Sequence, residues 1–217
     1  MQLYFEQTLH LQIKLLYLQN IFDFRKLTFS IFYILQEKTK KIIKGSVEMY
    51  LGSRDGLKAE YFWQKVNNKD NLLMIFKSKS GSIFGAYSPC KWVTNGQIIA
   101  DNTLTSFIFS QTHDQIYNLK EDKKYAIYCK SDFGPSYGYY NDIDIKGDFT
   151  DGHSNLGEDY EFDRDKNKNY QIFSVQINLL LDLFLIKIRQ DAKKLNKQFK
   201  QHLLQQFYFL AFKNKQF

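Results

Sequence analysis

Leu72-Leu73-Met74-Ile75-Phe76-Lys77-Ser78 and Ser82-Ile83-Phe84-Gly85-Ala86-Tyr87-Ser88, separated by Lys79-Ser80-Gly81, form the stretch that decides the fold class. Two apolar, aromatic runs around a short polar segment with glycine are the signature of a β-hairpin. The same texture continues outward: Val47 to Leu51, Ser106 to Phe109, Tyr125 to Cys129, Asp142 to Lys146 and Gln171 to Ile177 read as further short strands. Gly, Asn, Asp and Ser separate them, as in antiparallel β proteins. Only Leu57 to Val66, with Leu57, Tyr61, Phe62 and Val66 near helical spacing, reads as a helix within this region. One short helix and no βαβ rhythm predict a mainly β fold of the α+β kind, a two-sheet antiparallel β-sandwich with one or two short helices.

The ends differ from the middle. Residues 1–45 carry seven Lys/Arg against three Asp/Glu, residues 178–217 eight against two, and the middle fifteen against eighteen. The net charge of +7 therefore belongs to the flanks, which argues against a phosphate-binding face on the central domain and against nucleic acid as its partner. This gives three segments: a basic, apolar N-terminal part (1–45), a central domain (46–177) and a tail (178–217). Leu27 to Leu35 reads as either a buried helix or a strand, and Lys38 to Lys44 as a solvated connector. In the tail, Leu180, Leu183, Phe184, Ile188, Leu195, Phe199 and Leu203 at helical spacing between basic residues predict an amphipathic helix or helical pair. Its apolar side is expected to pack against the sandwich; with Lys193, Lys194, Lys197 and Lys200 opposite Leu195, Phe199 and Leu203, it would alternatively suit an anionic membrane surface.

Two cysteines, Cys90 and Cys129, match neither a zinc ribbon nor a disulfide scaffold, so an intracellular, reduced protein is expected. Met1 to Asn20 does not read as a secretory signal, and neither apolar run, Leu27 to Leu35 or Leu179 to Ile188, reaches the roughly 20 residues of a spanning helix. Phe, Tyr, Ile, Lys and Asn are abundant and alanine numbers six, a bias that A/T-rich codons produce, so lysine and aromatic content by itself says little about ligands.

Gly52-Ser53-Arg54-Asp55-Gly56, followed by Phe62, resembles the (S/T)-R-D-G element that opens TLDc (TBC/LysM-associated) domains. Seven further pieces follow in the family's order. Ile83-Phe84-Gly85-Ala86-Tyr87 is similar to its F-G-G-Y strand, Trp92 falls at its tryptophan, and Ser106-Phe107-Ile108-Phe109-Ser110 resembles its F-L-F-S strand. Ala126-Ile127-Tyr128-Cys129 resembles A-I-Y-C, and Gly134-Pro135-Ser136-Tyr137-Gly138 the G-P-x-F-G loop. Asp142-Ile143 resembles the D-I that begins the next strand, and Ser154-Asn155-Leu156-Gly157 the S-x-L-G turn. Ala86, Val66, Lys58 and Asp70-Asn71-Leu72 depart from the pattern, as does Asn178-Leu179-Leu180-Leu181 where the family ends on E-V-F; Met1 to Gly45 shows no clear match to its opening helix.

Read from the residues themselves, these pieces are core and turn. Phe84, Tyr87, Trp92, Phe107, Phe109 and Tyr128 are large enough to fill the space between two sheets. Arg54 and Asp55 form either a local salt bridge or part of a contact surface. With Lys58 in place of a capping residue, Asp55 is the expected cap of the helix.

Catalytic constellations are sparse. A Cys129, His153, Asp triad is arithmetically possible, but nothing in the strand around Cys129 points to exposure, and a buried inert thiol is expected. Asp142, Asp144, Asp148, Asp151, Glu158, Asp159 and Glu161 form an acidic stretch without EF-hand spacing, expected as solvated surface or as a patch for a basic partner, with no metal and no cofactor. The TLDc resemblance implies a non-enzymatic cytoplasmic module that binds the vacuolar-type proton ATPase and is linked to oxidative-stress protection, with a peripheral place on endolysosomal or vacuolar membranes. The alternatives are a membrane-surface adaptor acting through the basic flanks and an enzyme using Cys129 or the acidic stretch.

Overall fold

The computed structural model describes residues 27–162 and 180–194. Eleven strands form two antiparallel sheets among them. The six-stranded sheet has the order β1-β11-β2-β3-β5-β6, from Lys41–Leu51 (β1), Leu180–Lys194 (β11), Leu72–Ser78 (β2), Ile83–Ser88 (β3), Phe107–Ser110 (β5) and Gln115–Asn118 (β6). The five-stranded sheet has the order β10-β9-β8-β7-β4, from Gly152–His153 (β10), Ile143–Lys146 (β9), Phe133–Tyr137 (β8), Tyr125–Tyr128 (β7) and Ile98–Ala100 (β4). Val47 to Ile188 is one compact unit, and residues 1–46 with 189–217 are assigned to a second. In the second, helix α1 (Leu27–Thr39) buries Ile31 and Leu35, four residues apart on one face, and Gln36 Oε1 accepts the Ile43 amide at 3.2 Å.

The hairpin is where the sequence put it, with Leu72 paired to Ser88 and Lys77 to Ile83. Strand alternation then sorts the aromatics. Met74, Phe76, Phe84, Ala86 and Ile108 join the main apolar cluster that the second sheet completes with Ala126, Ile127, Tyr137, Ile143 and Ile145. Tyr87 and Phe107 are cross-strand partners, as are Gly85 and Phe109, so these residues share the opposite face of the sheet and are buried there. Tyr87, Phe107 and Phe109 were expected between the sheets with Phe84 and Trp92; the register places all three on the face opposite to Ala86 and Ile108. Tyr128 is a second correction, since it is only half-buried and carries Lys130 Nζ 4.8 Å from its ring centre.

Between β1 and β2 the chain makes a single turn, α2 (Gly52–Asp55), and then helix α3 (Ala59–Val66). Helix α3 buries Ala59, Phe62, Trp63 and Val66 on one face; of the four residues whose spacing predicted it, Phe62 and Val66 lie on that face, whereas Tyr61 is exposed and Leu57 precedes the helix. Asp55 does not cap it: Lys58 is the N-cap without a side-chain bond, and the Ala59 amide donates instead to the Gly147 carbonyl at 2.6 Å. A backbone acceptor from another loop thus does what a capping side chain normally does. Phe62 and Trp63 both pack on Trp92, each with ring centres 5.9 Å apart, and Trp92 meets Tyr137 at 5.6 Å. Trp63 Nε1 donates to the Phe133 carbonyl at 2.8 Å, and the Trp92 backbone exchanges bonds with Lys69 and Asn68.

Three segments differ from their sequence reading. Residues 134–138, expected as a loop, lie mostly in strand β8; Pro135 is tolerated because the pairing with β9 shifts register between Phe133 and Ser136, where no amide is required. Lys41 to Lys44, expected as connector, open β1, an edge strand on which lysines discourage further pairing. Leu180–Lys194, expected as helix, is β11, antiparallel to β2 from Leu180↔Ser78 to Lys187↔Leu72. Helical spacing in a short apolar run is ambiguous, and the unpaired backbone of β2 decides it in favour of strand. The expected strand at 171–177 and the helical reading of 195–203 lie outside the described residues.

Gly85 is the tightest point of the hairpin. A Cβ there would lie 2.2 Å from the Met74 carbonyl oxygen and 2.4 Å from Phe109 Cζ. Gly85→Ala is expected to lower stability by about 1–3 kcal/mol, the cost of overpacking a well-filled site. Urea unfolding of both proteins checks it; equal midpoints would show that strand β3 has room the structure denies.

Candidate functional site

The residues of the sequence motifs collect into corners of the frame. At the first, Asp55 Oδ2 accepts the Leu51 amide at 3.0 Å and the Arg54 guanidinium at 2.7 Å, while Arg54 also reaches Glu48. The local bridge is present, and Arg54 remains 54% exposed on the surface. Bonding to Arg54, against the effect of burial, lowers the Asp55 carboxyl to about 2. Gly56 closes the turn in the left-handed region (φ 91°), and its carbonyl accepts the Tyr50 hydroxyl. Gly52 is buried and Ser53 exposed.

At the second corner, two motif pieces that the sequence shows separately become one structure. Asp142 accepts four backbone amides from the S-x-L-G turn and its continuation: Gly157 at 3.0 Å, Glu158 at 3.2 Å, Asp159 at 2.9 Å and Tyr160 at 3.1 Å. The hydroxyl of Ser154 donates to the Asp142 carbonyl, and Gly138 turns the chain at φ 76° directly against the Asp142 carboxylate. Burial pushes the Asp142 carboxyl up to about 6, with the Asp159 charge adding to it and the amides opposing.

The acidic stretch is therefore not uniformly solvated, which corrects its sequence reading. Asp142, Asp144 and Asp159 are fully buried; Asp148 and Glu161 are exposed and Asp151 and Glu158 half-buried. Asp144 pairs with Lys130 Nζ at 2.8 Å and accepts the Ser136 hydroxyl, and Lys130 also lies 4.3 Å from the Phe133 ring centre. No group of three or more His, Cys, Asp or Glu side chains suited to a metal ion occurs among the described residues.

Sequence reasoning overlooked a third corner. Asp101 is buried and organises the turn before β5: Oδ1 accepts the Thr103 amide at 2.9 Å, and Oδ2 the Thr105 amide at 3.0 Å and the Ser106 amide and hydroxyl at 2.8 Å. The run Asp101-Asn102-Thr103-Leu104-Thr105-Ser106 is the signal, since Asp followed by Thr and Ser is turn chemistry. Burial acts to raise the Asp101 carboxyl, but the Thr103 and Ser106 hydrogen bonds outweigh it and hold the group below the usual range.

Cys129 is fully buried, and burial pushes its thiol up to about 11; the Cys90 thiol is raised to about 11 by the same cause. A nucleophilic cysteine needs the opposite shift. His153 is exposed and lies 4.0 Å from Asp144, and His113 is bound to Ser110 at 2.8 Å. Among the described residues, the large apolar groups left most exposed are Tyr61, Ile98, Tyr125, Tyr139 and Tyr140. Four of them belong to one neighbourhood: Tyr139 touches Tyr125 at 5.9 Å, Tyr140 at 4.7 Å and Tyr128 at 6.3 Å, and Tyr128 pairs with Ile98 across β7 and β4. Lys123 Nζ stands 5.7 Å from the Tyr140 ring centre.

Replacing Asp101 by Asn leaves one of its two accepting oxygens as a donor facing amides, and is expected to cost about 1–3 kcal/mol of stability. Because its folded carboxyl is depressed, Asp101 stabilises the fold above the unfolded value of about 3.9 and loses that contribution as pH falls below it. Unfolding of Asp101→Asn should therefore show the larger deficit at pH 7 than at pH 3; a deficit independent of pH would contradict the charge-based account.

No curated protein matches the chain. No helix among the described residues is long and apolar enough to cross a membrane. The TLDc domain model matches residues 22–180, which takes in α1 and so extends the family likeness into the N-terminal part where the sequence reading saw none. With a two-sheet antiparallel sandwich, the Arg54–Asp55 corner and the Asp142 turn in place, and a family match over most of its length, this chain belongs to the TLDc domain family.

Proposed function

We propose that this chain is a non-catalytic, cytoplasmic interaction module of the TLDc type that engages the vacuolar-type proton ATPase and serves in protection against oxidative stress. The observation that carries the reading is the division of labour among side chains. Cys90, Cys129, Asp101, Asp142, Asp144 and Asp159 are buried in the frame, while aromatic surface, Tyr125, Tyr139 and Tyr140 beside Ile98, is left in water on one side of the smaller sheet. Tyrosine is enriched at protein interfaces, where a large ring and a polar tip bind well at small entropic cost. The choice of the proton pump comes from family membership.

The enzyme alternative is opposed by the buried, raised thiol of Cys129. The membrane-helix alternative loses part of its basis, since Lys193 and Lys194 lie in strand β11.

Affinity purification with the tagged full-length chain under gentle, low-salt conditions should recover pump subunits. The Cys129→Ser chain should recover the same subunits, with a packing loss of about 1 kcal/mol at most. A folded, monodisperse chain that retains no pump subunit would remove the pump assignment. Loss of capture in a stably folded Cys129→Ser chain would restore a role for the thiol.

A further inference from the structure

Asn95 is the one asparagine in the chain that is followed by glycine. The pair sits in the turn Thr94-Asn95-Gly96-Gln97 before β4, and all four residues are exposed. This dipeptide carries latent chemistry of its own. The backbone nitrogen of the second residue attacks the side-chain carbonyl carbon of the first when the two are brought together, and glycine, lacking a Cβ, offers the least obstruction. Gly96 lies at φ 70°, in the left-handed region. A methyl group added to it would meet nothing within 4 Å among the described residues, so no neighbour crowds the turn.

In the folded chain both reacting groups are occupied. The Gly96 amide donates to the Cys129 carbonyl at 2.8 Å, and Asn95 Oδ1 accepts the Gln97 amide at 3.2 Å. The Cys129 amide returns a bond to the Gln97 carbonyl at 2.8 Å, so the turn is joined on both sides to a buried residue at the end of β7. Cyclisation needs the Gly96 N–H released from its acceptor and the Asn95 carboxamide swung back onto Gly96, so these bonds must break first. Strand β4, which follows, is three residues long, lies at the edge of the smaller sheet and leaves Ile98 and Ala100 exposed. Local opening concentrates in segments with so few buried contacts.

We propose that Asn95 and Gly96 form a latched deamidation site, held unreactive by the bonds to Cys129 and Gln97 and released when the turn and the β4 edge open. The Gly96 nitrogen forms a bond to Asn95 Cγ, the Cγ–Nδ2 bond breaks, and the Gly96 proton leaves with Nδ2 as ammonia, which gives a cyclic imide. Water then opens the imide. Cleavage between Cγ and the Gly96 nitrogen gives aspartate; cleavage between the Asn95 backbone carbonyl carbon and that nitrogen gives isoaspartate, with the chain now running through Cγ. Isoaspartate puts an extra methylene into the backbone, so the Gly96 amide no longer meets the Cys129 carbonyl and the edge does not reclose as before. Ile98, paired with Tyr128 across β4 and β7, borders the exposed tyrosine neighbourhood, so the conversion leaves a permanent mark beside that surface.

The experiment incubates the unsubstituted full-length chain at neutral pH, folded and in parallel unfolded in urea, and follows every asparagine by peptide mapping and mass spectrometry. In urea Asn95 should convert ahead of all other asparagines. In the folded chain its conversion should be slower by at least about tenfold, the factor set by an opening populated in fewer than about one chain in ten. Hydrogen exchange of the Gly96 amide in the folded chain measures that opening independently, and the retardation of Asn95 should follow its protection. Conversion in the folded chain as fast as in urea overturns the latch, and so does an unretarded Asn95 beside a protected Gly96 amide. An Asn95 that converts in urea no faster than the other asparagines overturns the site itself.

Discussion

Helix α3 wedges Phe62 and Trp63 against Trp92, and the two sheets close around that aromatic group. Its reach explains why so many distant segments are held in register: Phe62 also meets Tyr50 from β1 and Phe149 from the turn after β9, and Trp92 meets Tyr137 from β8. Edge-on ring contacts of this kind contribute about 0.5–1.5 kcal/mol each beyond the area they bury. The helix is short, only Ala59–Val66, and its first amide is satisfied by Gly147, so neither end is stable alone. Its stability is tertiary, and the turn that launches it, Gly52–Gly56, matters for the angle at which it enters.

Around that apolar centre, carboxylates do the work of fastening loops. Asp101 and Asp142 each collect several backbone amides from a turn, and Asp55 accepts the Leu51 amide at the end of β1. Their electrostatic settings differ for a physical reason. Asp55 has the Arg54 guanidinium and Asp101 has hydroxyls, so both are held low. Asp142 is deeper and has a second carboxylate for company, so it is pushed up despite its four amides. A domain fastened in this way responds to acid in opposite senses at different corners.

The parts legible in the sequence were those governed by local pattern. The β2–β3 hairpin followed from two apolar runs around Lys79-Ser80-Gly81, and α3 from the spacing of Phe62 and Val66. What local pattern could not supply was the identity of each partner. Leu180–Lys194 has spacing that suits a helix, and only the open edge of β2 makes it a strand. Phe107 and Phe109 are aromatic on either face, and the pairing of Ala86 with Ile108 is needed to say which face is the interior. Asp142 and Asp159 lie seventeen residues apart and looked like surface because acidic residues usually are; their burial depends on a turn that returns four amides to one carboxylate. The Arg54–Asp55 bridge, by contrast, joins neighbours and was open to reading as it stands.

The central claim is that Cys90, Cys129, Asp101, Asp142 and Asp144 are built into the frame, in keeping with the contact role proposed above. Native-state thiol labelling of the full-length chain tests it most directly, because Cys90 and Cys129 are buried with raised thiols. The account predicts that both cysteines label only as fast as the protein unfolds, and that added denaturant accelerates them together. Rapid labelling of Cys129 in the folded protein at neutral pH, independent of denaturant, would contradict it.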